Sequence, residues 1–476
     1  MPAACVAPAA ALGAAAASRR QGSPLRARAA AKQGAISPAT TPRHQARDAG
    51  EDSRGRRRPP PRLEAHAPRG SAPIASSPVS RLAGVPRRET RTSFHREPPA
   101  DPLSPRPALR ASLRAVPRGA ASKARAAAAA PASAADIDWD DLGFGLTETA
   151  FMVKVQCDID GEWAASAVEP YGDLSLSPAA AVLNYGQGIF EGMKAFRTVD
   201  GEVVTFRPDQ NAARFAEGAG RMSMPPVPES IFVDAVKKCI SANRDFIPPE
   251  GKGSLYLRPL LIGTGPILGL GPAPSYTFLV YCSPVAAYFK GGQLTPIDLV
   301  VEESYHRAAP GGTGSTKCIG NYSPVLKVQL AAKKEGYSDV IYLDAVNNKY
   351  IEEVSSCNFF VVNGDVIATP KLGGSILPGI TRKSIIDLAR AKGYTVEERD
   401  VSVDEVLAAD ECFCTGTAVV VVPVGSVTHR GNKTVFQEGG IGPVGQSLYD
   451  ELTGLQSGKV EDTLGWLEKV PEGFHL

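Results

Sequence analysis

Cysteine is scarce in this 476-residue sequence, and its spacing fits no recurrent cysteine site. Seven of the eight cysteines follow residue 135, an odd number, and no C-x-x-C pair is repeated. Disulfide-stapled secreted domains require paired cysteines, and structural zinc sites require clustered ones. We therefore expect unpaired thiols in a reducing compartment and no metal site.

Long apolar runs are also absent. Residues 136 to 476 contain none long enough to cross a bilayer. The first 18 residues are dominated by alanine, begin with no charged segment and have no strongly apolar core, which argues against a secretory signal. A soluble protein with no membrane partner is expected.

Acidic residues are rare in the first 135 positions. This segment has 24 Lys and Arg against 7 Asp and Glu, whereas the rest of the chain has 28 against 43. A basic arm with a net charge of +17 therefore precedes an acidic body with a net charge of −15. The near-neutral total conceals this division.

The basic arm, residues 1–135, is rich in Ala, Arg, Pro and Ser and has no apolar periodicity. It cannot bury enough surface to offset its chain entropy, so we predict disorder. The shortage of acids fits a transit peptide read by an organellar import machinery, with the chloroplast expected and the mitochondrion as alternative. A basic tail that binds nucleic acid is the competing interpretation. We prefer targeting, because a tail whose role is to bind nucleic acid would not need an acidic body attached to it. No nucleic-acid partner is therefore expected.

After residue 150, short strands alternate with helices, which predicts an α/β protein. Strands are predicted at residues 151–155, 201–206, 254–259, 276–282, 296–303, 339–344 and 411–424 (interrupted at 415–417), with a hairpin at 358–369 turning at Asn363-Gly364. Helices are predicted at residues 210–222, 230–244, 321–336 and 381–392, the last ending at Gly393. The pattern breaks at residues 288–292. We predict a small α/β domain at 136–290, a linker at 291–303 and a large domain at 304–476.

Lys317 ends a glycine-rich stretch within residues 308–322, just before a helical pattern. A loop with few bulky side chains lets the backbone approach a ligand, and a desolvated lysine there can act as an amine nucleophile. The stretch is thus a candidate Schiff-base loop. A surface turn with a solvated lysine is the plain alternative, and the spacing does not fit the G-x-x-x-x-G-K-[ST] phosphate loop.

Six short motifs follow one another in a specific order. They are FEGMKAF at 190–196, YLRP at 256–259, the lysine loop at 308–322, EEVSSCN at 352–358, LPGIT at 377–381 and GTA at 416–418. Their order and spacing resemble branched-chain amino-acid aminotransferases, over roughly residues 139 to 470. Together they are specific, although each alone is weak.

The resemblance implies a two-domain α/β (α+β) enzyme of fold-type IV. Its smaller N-terminal α/β domain and larger C-terminal pseudo-barrel domain would follow the disordered arm. It implies pyridoxal 5′-phosphate as cofactor and a homodimer. The implied reaction transfers the amino group of Leu, Ile or Val to 2-oxoglutarate, giving branched-chain 2-oxo acids and L-glutamate, reversibly.

The resemblance also assigns residues to the cofactor. Lys317 would hold the aldehyde and then carry the proton, Glu353 would keep the pyridine nitrogen protonated, and Tyr322 would bind the ring hydroxyl. Arg214, not Arg207, is the expected phosphate arginine. The remaining cofactor contacts are expected from the segment around the helix start after Pro378-Gly379, namely Leu377, Ile380 and Thr381. Thr417 is expected as one further donor.

A second implied set surrounds the substrate. Aromatic residues would line the pocket, a small hydroxyl residue would border it, and two backbone amides would bind the α-carboxylate. The pocket residues are Tyr185, Phe190, Tyr256, Tyr288 and Ser356, and the amides are those of Thr417 and Ala418. Arg258 would bind the side-chain carboxylate of glutamate. Core packing is the alternative for the aromatic residues.

Two other functions remain open. A D-amino-acid aminotransferase or an aminodeoxychorismate lyase has the same fold, but Tyr256-x-Arg258 and the Phe190 motif argue against both. A non-catalytic regulatory protein would have no reason to keep Lys317 with Glu353. Some relatives carry a C-x-x-C switch where this sequence has Val419 and Val422, so we expect no inherited redox regulation.

Overall fold

The computed structural model describes residues 133–287 and 294–473. All but the last three residues of the basic arm lie outside this range, and so does the predicted pattern break at 288–292. The strands are β1 Phe151–Asp158, β2 Ala167–Pro170, β3 Gly188–Phe190, β4 Met193–Arg197, β5 Val203–Phe206, β6 Gly253–Gly263, β7 Ser275–Ala286, β8 Ile297–Glu302, β9 Asp339–Leu343, β10 Ile351–Val354, β11 Asn358–Asn363, β12 Val366–Pro370, β13 Thr395–Arg399, β14 Glu411–Gly416, β15 Val420–His429, β16 Asn432–Val435 and β17 Leu467–Lys469. The helices are α1 Ala181–Tyr185, α2 Pro208–Arg221, α3 Glu229–Ala242, α4 Leu326–Lys334, α5 Ile380–Ala391, α6 Val403–Leu407 and α7 Pro443–Gln456.

The first sheet has the strand order β17-β5-β4-β6-β7-β1-β2, with β3 also paired to β6. Along β6, Leu255 and Leu257 are fully buried in a core that α2 and α3 help to form. Because side chains alternate along a strand, Tyr256 and Arg258 lie on the opposite face. That face carries the candidate site.

The second sheet closes on itself. The strands β10, β9, β8, β15, β14 and β11 pair in that order, and β11 pairs with β10 to complete a six-stranded barrel. Closure occurs where Glu353 stands opposite Asn358. The strands β8 and β9 are parallel, and α4 lies between them in the chain. The α/β fold class with a barrel is confirmed.

The structure confirms most of the predicted elements. The helices expected at 210–222, 230–244 and 381–392 correspond to α2, α3 and α5, and Gly393 follows α5 with a φ of 92°. The hairpin at 358–369 is present as β11 and β12. The stretch at 411–424 is itself a hairpin, since β14 and β15 are antiparallel strands joined by a turn at 417–419.

One predicted helix boundary is wrong. The helix expected at 321–336 begins only at Leu326, after a 3₁₀ turn at Ile319–Asn321. Pro324 disfavours helical backbone at the residue before it, and the Asn321 amide is held by the Thr313 and Thr316 carbonyls at 2.8 Å. The strand predicted at 296–303 is confirmed as β8, whose Leu299 is buried in the barrel; this strand overlaps the linker predicted at 291–303. The division into two domains stays a prediction, and β17 returns to the first sheet.

No helix in residues 133–287 or 294–473 is both long and apolar enough to cross a membrane.

Candidate active site

Lys317 lies where the lysine loop meets the first sheet. The Phe190 amide donates to the Lys317 carbonyl at 3.1 Å, which joins β3 to the loop. The Lys317 Nζ lies 3.2 Å from the Tyr322 hydroxyl and 4.9 Å from the centre of the Phe190 ring. The Phe190 and Tyr322 rings are themselves 4.9 Å apart. The structure thus brings together a primary amine, a phenol and an aromatic wall.

Glu353 is buried at the barrel closure, on β10. One carboxylate oxygen accepts from the Asn358 amide at 2.7 Å and from the Leu377 backbone N–H at 3.0 Å. The other oxygen forms an ion pair with Arg307. Burial raises the pKa of Glu353 to about 7, and the positive charge of Arg307 opposes that rise. The site therefore holds a carboxylate whose charge depends on its partner.

Arg307 is a residue that the sequence reasoning missed. It precedes Lys317 by ten positions, and its guanidinium also donates to the Ser375 carbonyl at 2.6 Å. Its side chain is 5% exposed, so the cation is buried together with Glu353. An arginine at the start of a glycine-rich loop was the only available signal, because nothing in the local pattern connects residues 307 and 353.

Arg214 is held on α2 by Glu191, which the sequence reasoning also left without a role. The Arg214 Nε and Nη2 atoms each lie 2.7 Å from a Glu191 carboxylate oxygen, and Arg214 Nη1 donates to the Pro378 carbonyl at 2.9 Å. Glu191 is fully buried and also accepts from Asn211 at 2.9 Å. The pair fixes the predicted phosphate arginine beside the chain segment that leads into α5.

The start of α5 offers free backbone donors. Its N-cap, Gly379, provides no side-chain cap, so the first N–H groups of this 12-residue helix have no capping side chain. Ile380, Thr381 and Thr417 line one small cavity together with Asn211 and Lys194. Leu377 is near but donates its N–H to Glu353. An anion with several oxygens suits this position.

Only some of the residues predicted to bind the substrate lie close together. The Arg258 guanidinium carbon lies 4.8 Å from the Phe190 ring centre and 5.4 Å from that of Tyr256. Phe144, which the sequence reasoning missed, meets Tyr256 edge-on at 5.4 Å. The Tyr185 hydroxyl instead contacts the Leu268 carbonyl.

Four further predicted residues have different settings. Ser356 is exposed on the loop after β10. Tyr288 lies outside the described residues. Thr417 and Ala418 form the 417–419 turn, which faces β4: the Thr417 hydroxyl donates to the Gly192 carbonyl at 3.2 Å.

Two other kinds of group could carry chemistry: metal ligands and the two cysteines of β14. In the described ranges, no three His, Cys, Asp or Glu side chains are grouped to hold a metal ion. Cys412 and Cys414 are free and buried, and burial raises the pKa of both thiols. These thiols therefore lack the thiolate character that reactive cysteines need.

Comparison with known proteins agrees with this geometry. The class IV amino-transferase profile matches residues 188–427, which is half of the chain. The chain belongs to the class IV aminotransferase family. It is 58% identical over 332 residues to "Branched-chain amino acid aminotransferase 2, chloroplastic" of Humulus lupulus, covering 70% of this chain and 81% of the relative. It is 56% identical over 333 residues to "Branched-chain-amino-acid aminotransferase 3, chloroplastic" of Arabidopsis thaliana, covering 70% and 80%.

Solved structures of class IV aminotransferases are also similar. The branched-chain amino acid aminotransferase of Escherichia coli has a TM-score of 0.58 at 32% identity, covering 64% of this chain and 97% of that one. The T.th. branched-chain amino acid aminotransferase with pyridoxamine 5′-phosphate has a TM-score of 0.58 at 26% identity, covering 67% and 98%. Class IV aminotransferases use pyridoxal 5′-phosphate, and the groups found here fit that cofactor: an amine, a buried carboxylate, an arginine and a helix start. The fold-type IV prediction is confirmed.

Proposed function

We propose that this protein is a branched-chain amino-acid aminotransferase. It exchanges the amino group of leucine, isoleucine or valine with 2-oxoglutarate, and pyridoxal 5′-phosphate is its cofactor. The observation that carries the proposal is the convergence of Lys317, Tyr322 and Glu353 beside a pocket that combines aromatic rings with Arg258. The names of the most similar relatives support the same activity.

The cofactor roles follow from the contacts. When bound, pyridoxal 5′-phosphate supplies an aldehyde and an electron-withdrawing ring, which make the Cα proton of an amino acid removable. Lys317 holds the aldehyde and moves that proton, and Tyr322 donates to the ring hydroxyl. Arg214, Thr417 and the N–H groups of Ile380 and Thr381 would hold the phosphate, and Leu377, whose N–H holds Glu353, would complete the cofactor contacts.

Glu353 and Arg307 act as one unit. A protonated ring nitrogen needs a carboxylate beside it, yet burial alone favours the neutral acid. The positive charge of Arg307 opposes the effect of burial, which raises the pKa of Glu353 to about 7, so Glu353 is charged above that pH. In that state Glu353 would provide the charged partner that a protonated ring nitrogen needs.

The pocket must accept both leucine and glutamate. Phe190, Tyr256 and Phe144 give it apolar walls, with Tyr185, Tyr288 and Ser356 as further predicted borders, and the Thr417 and Ala418 amides take the α-carboxylate. Arg258 stacks on Phe190 and Tyr256 when no carboxylate is present. Its planar guanidinium is equally suited to pair with the side chain of glutamate.

A direct test is transamination by the purified protein. The purified segment 136–476 should be yellow and should lose its colour on reduction with borohydride. With 2-oxoglutarate it should convert leucine, isoleucine and valine into their 2-oxo acids and produce glutamate. Methionine belongs in the panel because a methionine aminotransferase of Arabidopsis thaliana is 44% identical. D-Alanine tests the D-amino-acid alternative. Turnover of D-alanine or methionine in preference to all three branched-chain acids would reject the proposal.

Assembly as a homodimer is part of the proposal. Leu268 and Leu270 are 92% and 88% exposed on the loop between β6 and β7, and Leu183 on α1 is 60% exposed. Exposed apolar residues so close together indicate a protein interface. Light scattering should give twice the chain mass, and Leu268→Glu with Leu270→Glu should shift it to monomer.

We also propose import into the chloroplast through the basic arm. Relatives named chloroplastic support this, although others are named mitochondrial. A fluorescent reporter fused to residues 1–135 should enter plastids in leaf cells. A cytosolic or nuclear reporter would contradict targeting.

A further inference from the structure

Lys194, on β4, is a buried lysine to which the proposed reaction assigns no role, and it borders the small cavity at the start of α5. It is 8% exposed, and among the described residues no carboxylate forms an ion pair with it. Its Nζ donates instead to the Ala418 carbonyl at 2.9 Å. By contrast, Lys154 on β1 pairs with Glu169 at 2.5 Å. A buried cation without a counter-charge is costly to keep, which suggests that an anion joins it in the working protein.

Its position points to the 417–419 turn. Lys194 stands opposite Tyr256 in the pairing of β4 with β6, so its side chain shares the substrate face with Tyr256 and Arg258. The Thr417 hydroxyl bonds to the Gly192 carbonyl two residues earlier on the same edge. Two hydrogen bonds therefore tie β4 and the residue just before it to the turn whose amides the proposed function assigns to the α-carboxylate.

The charges around Lys194 leave it unneutralised. On β6 lie Tyr256 and Arg258, and on the lysine loop lie Lys317 and Tyr322. Arg214 of α2 is already paired with Glu191. The other side chains that line its cavity from α2, α5 and α7 are uncharged: Asn211, Thr381 and Gln456. Burial lowers the pKa of Lys194 to about 8, so the ammonium predominates at neutral pH and is lost above pH 8.

We propose that Lys194 is a positioning residue for the substrate α-carboxylate. Its ammonium holds the Ala418 carbonyl, fixes the 417–419 turn, and supplies the counter-charge for an anion bound by the Thr417 and Ala418 amides. This inference rests on the proposed function, and it names the group that makes the carboxylate site cationic. The incoming carboxylate in turn stabilises the ammonium, so binding is accompanied by proton uptake above pH 8.

The test compares two ligands of the same carbon skeleton and nearly the same size, one a carboxylate and one a neutral amide. 4-Methylpentanoate and 4-methylpentanamide are titrated into holoenzyme, wild type and Lys194→Met, from pH 6.5 to 9.5. We expect Lys194→Met to raise the Kd of the acid about ten- to hundredfold and that of the amide less than about threefold. Lys194→Arg should restore most of the acid affinity. In the wild type the acid should bind more weakly as the pH rises through 8, and this change should be absent from Lys194→Met.

Controls separate this role from a structural one. Lys154→Met removes a lysine from the same sheet and should leave the acid-to-amide ratio unchanged. Equal weakening of acid and amide by Lys194→Met, or an unchanged Kd for the acid, overturns the inference. If Lys194→Met fails to fold, the ligand ratio of Lys194→Arg and the wild-type pH dependence still decide it. Leucine turnover by the wild type tests the proposed function separately.

Discussion

Arg307 and Glu353 form an ion pair that is buried in the barrel, with both side chains 5% exposed. They come from different elements: the loop after β8 and the strand β10. Charges removed from water are costly, and each of these two makes the other tolerable. The pair is therefore the structural condition for a charged carboxylate that would partner the ring nitrogen of the cofactor.

Arg307→Met should shift the acidic limb of activity to higher pH. Even with Arg307 present, burial raises the pKa of Glu353 to about 7, so its charged form is lost as the pH falls through that value. Without the guanidinium the pKa rises further, by at least about one unit. The pH dependence of kcat/KM for leucine measures this shift, and Arg307→Lys serves as the charge-conserving control. An unchanged acidic limb would show that Arg307 does not govern Glu353.

Glu353→Gln should keep the fold and bind the cofactor but turn over slowly. The amide keeps the size of the side chain while removing the negative charge that a protonated ring nitrogen requires. We expect kcat to fall at least about a hundredfold, since a contact charge contributes several kcal/mol. Single-turnover kinetics with leucine give the rate. Normal turnover would place the ring-nitrogen partner elsewhere.

Lys317→Ala should bind the cofactor without its covalent link. Arg214 and the start of α5 remain, so the phosphate is still held, but the visible absorption band disappears. Covalent-catalysis residues commonly contribute several orders of magnitude, so residual kcat should be below about one per cent. Absorbance spectra and leucine turnover measure the two effects. Residual turnover above that level would argue against Lys317 as the nucleophile.

Arg258→Gln should separate the two half-reactions. Glutamate loses the counter-charge for its side-chain carboxylate, at a cost of about 2 to 5 kcal/mol, or about 30- to several-thousandfold in kcat/KM. Leucine has no such group, so its kcat/KM should fall by less than about tenfold. Single-turnover half-reactions with each amino acid distinguish the cases. Equal losses would assign Arg258 to the fold or to the shared α-carboxylate.

Gly379→Ala should damage the Glu353 site from outside it. A Cβ at this position would lie 2.0 Å from the Asn358 side-chain oxygen, and the Asn358 amide holds Glu353 at 2.7 Å. We expect a loss of about 1 to 3 kcal/mol in the free energy of unfolding, together with weaker cofactor retention. Gly373→Ala is the matched control, because its Cβ would meet no atom within 4 Å. Equal melting temperatures for the two variants would contradict the predicted clash.

Local patterns in the sequence predicted much of the fold. Periodicity located α2, α3 and α5, and Asn363-Gly364 located the β11–β12 turn, because these features depend on residues close together in the chain. The helix after Lys317 was predicted too long, since its first residues are held by the lysine loop. Periodicity does not record such tertiary hydrogen bonds.

The sequence by itself determined the chemical types of the candidate site: Lys317 in a glycine-rich loop, Glu353 in its motif, and Tyr256 with Arg258 on one strand face. Only the tertiary structure decided their partners. Arg307 pairs with Glu353, Glu191 with Arg214, and Lys194 with Ala418, the last pair 224 residues apart in the chain. Charge pairing in a buried site depends on distance in space, which closure of the barrel and its packing against the first sheet set, and no local period encodes that distance.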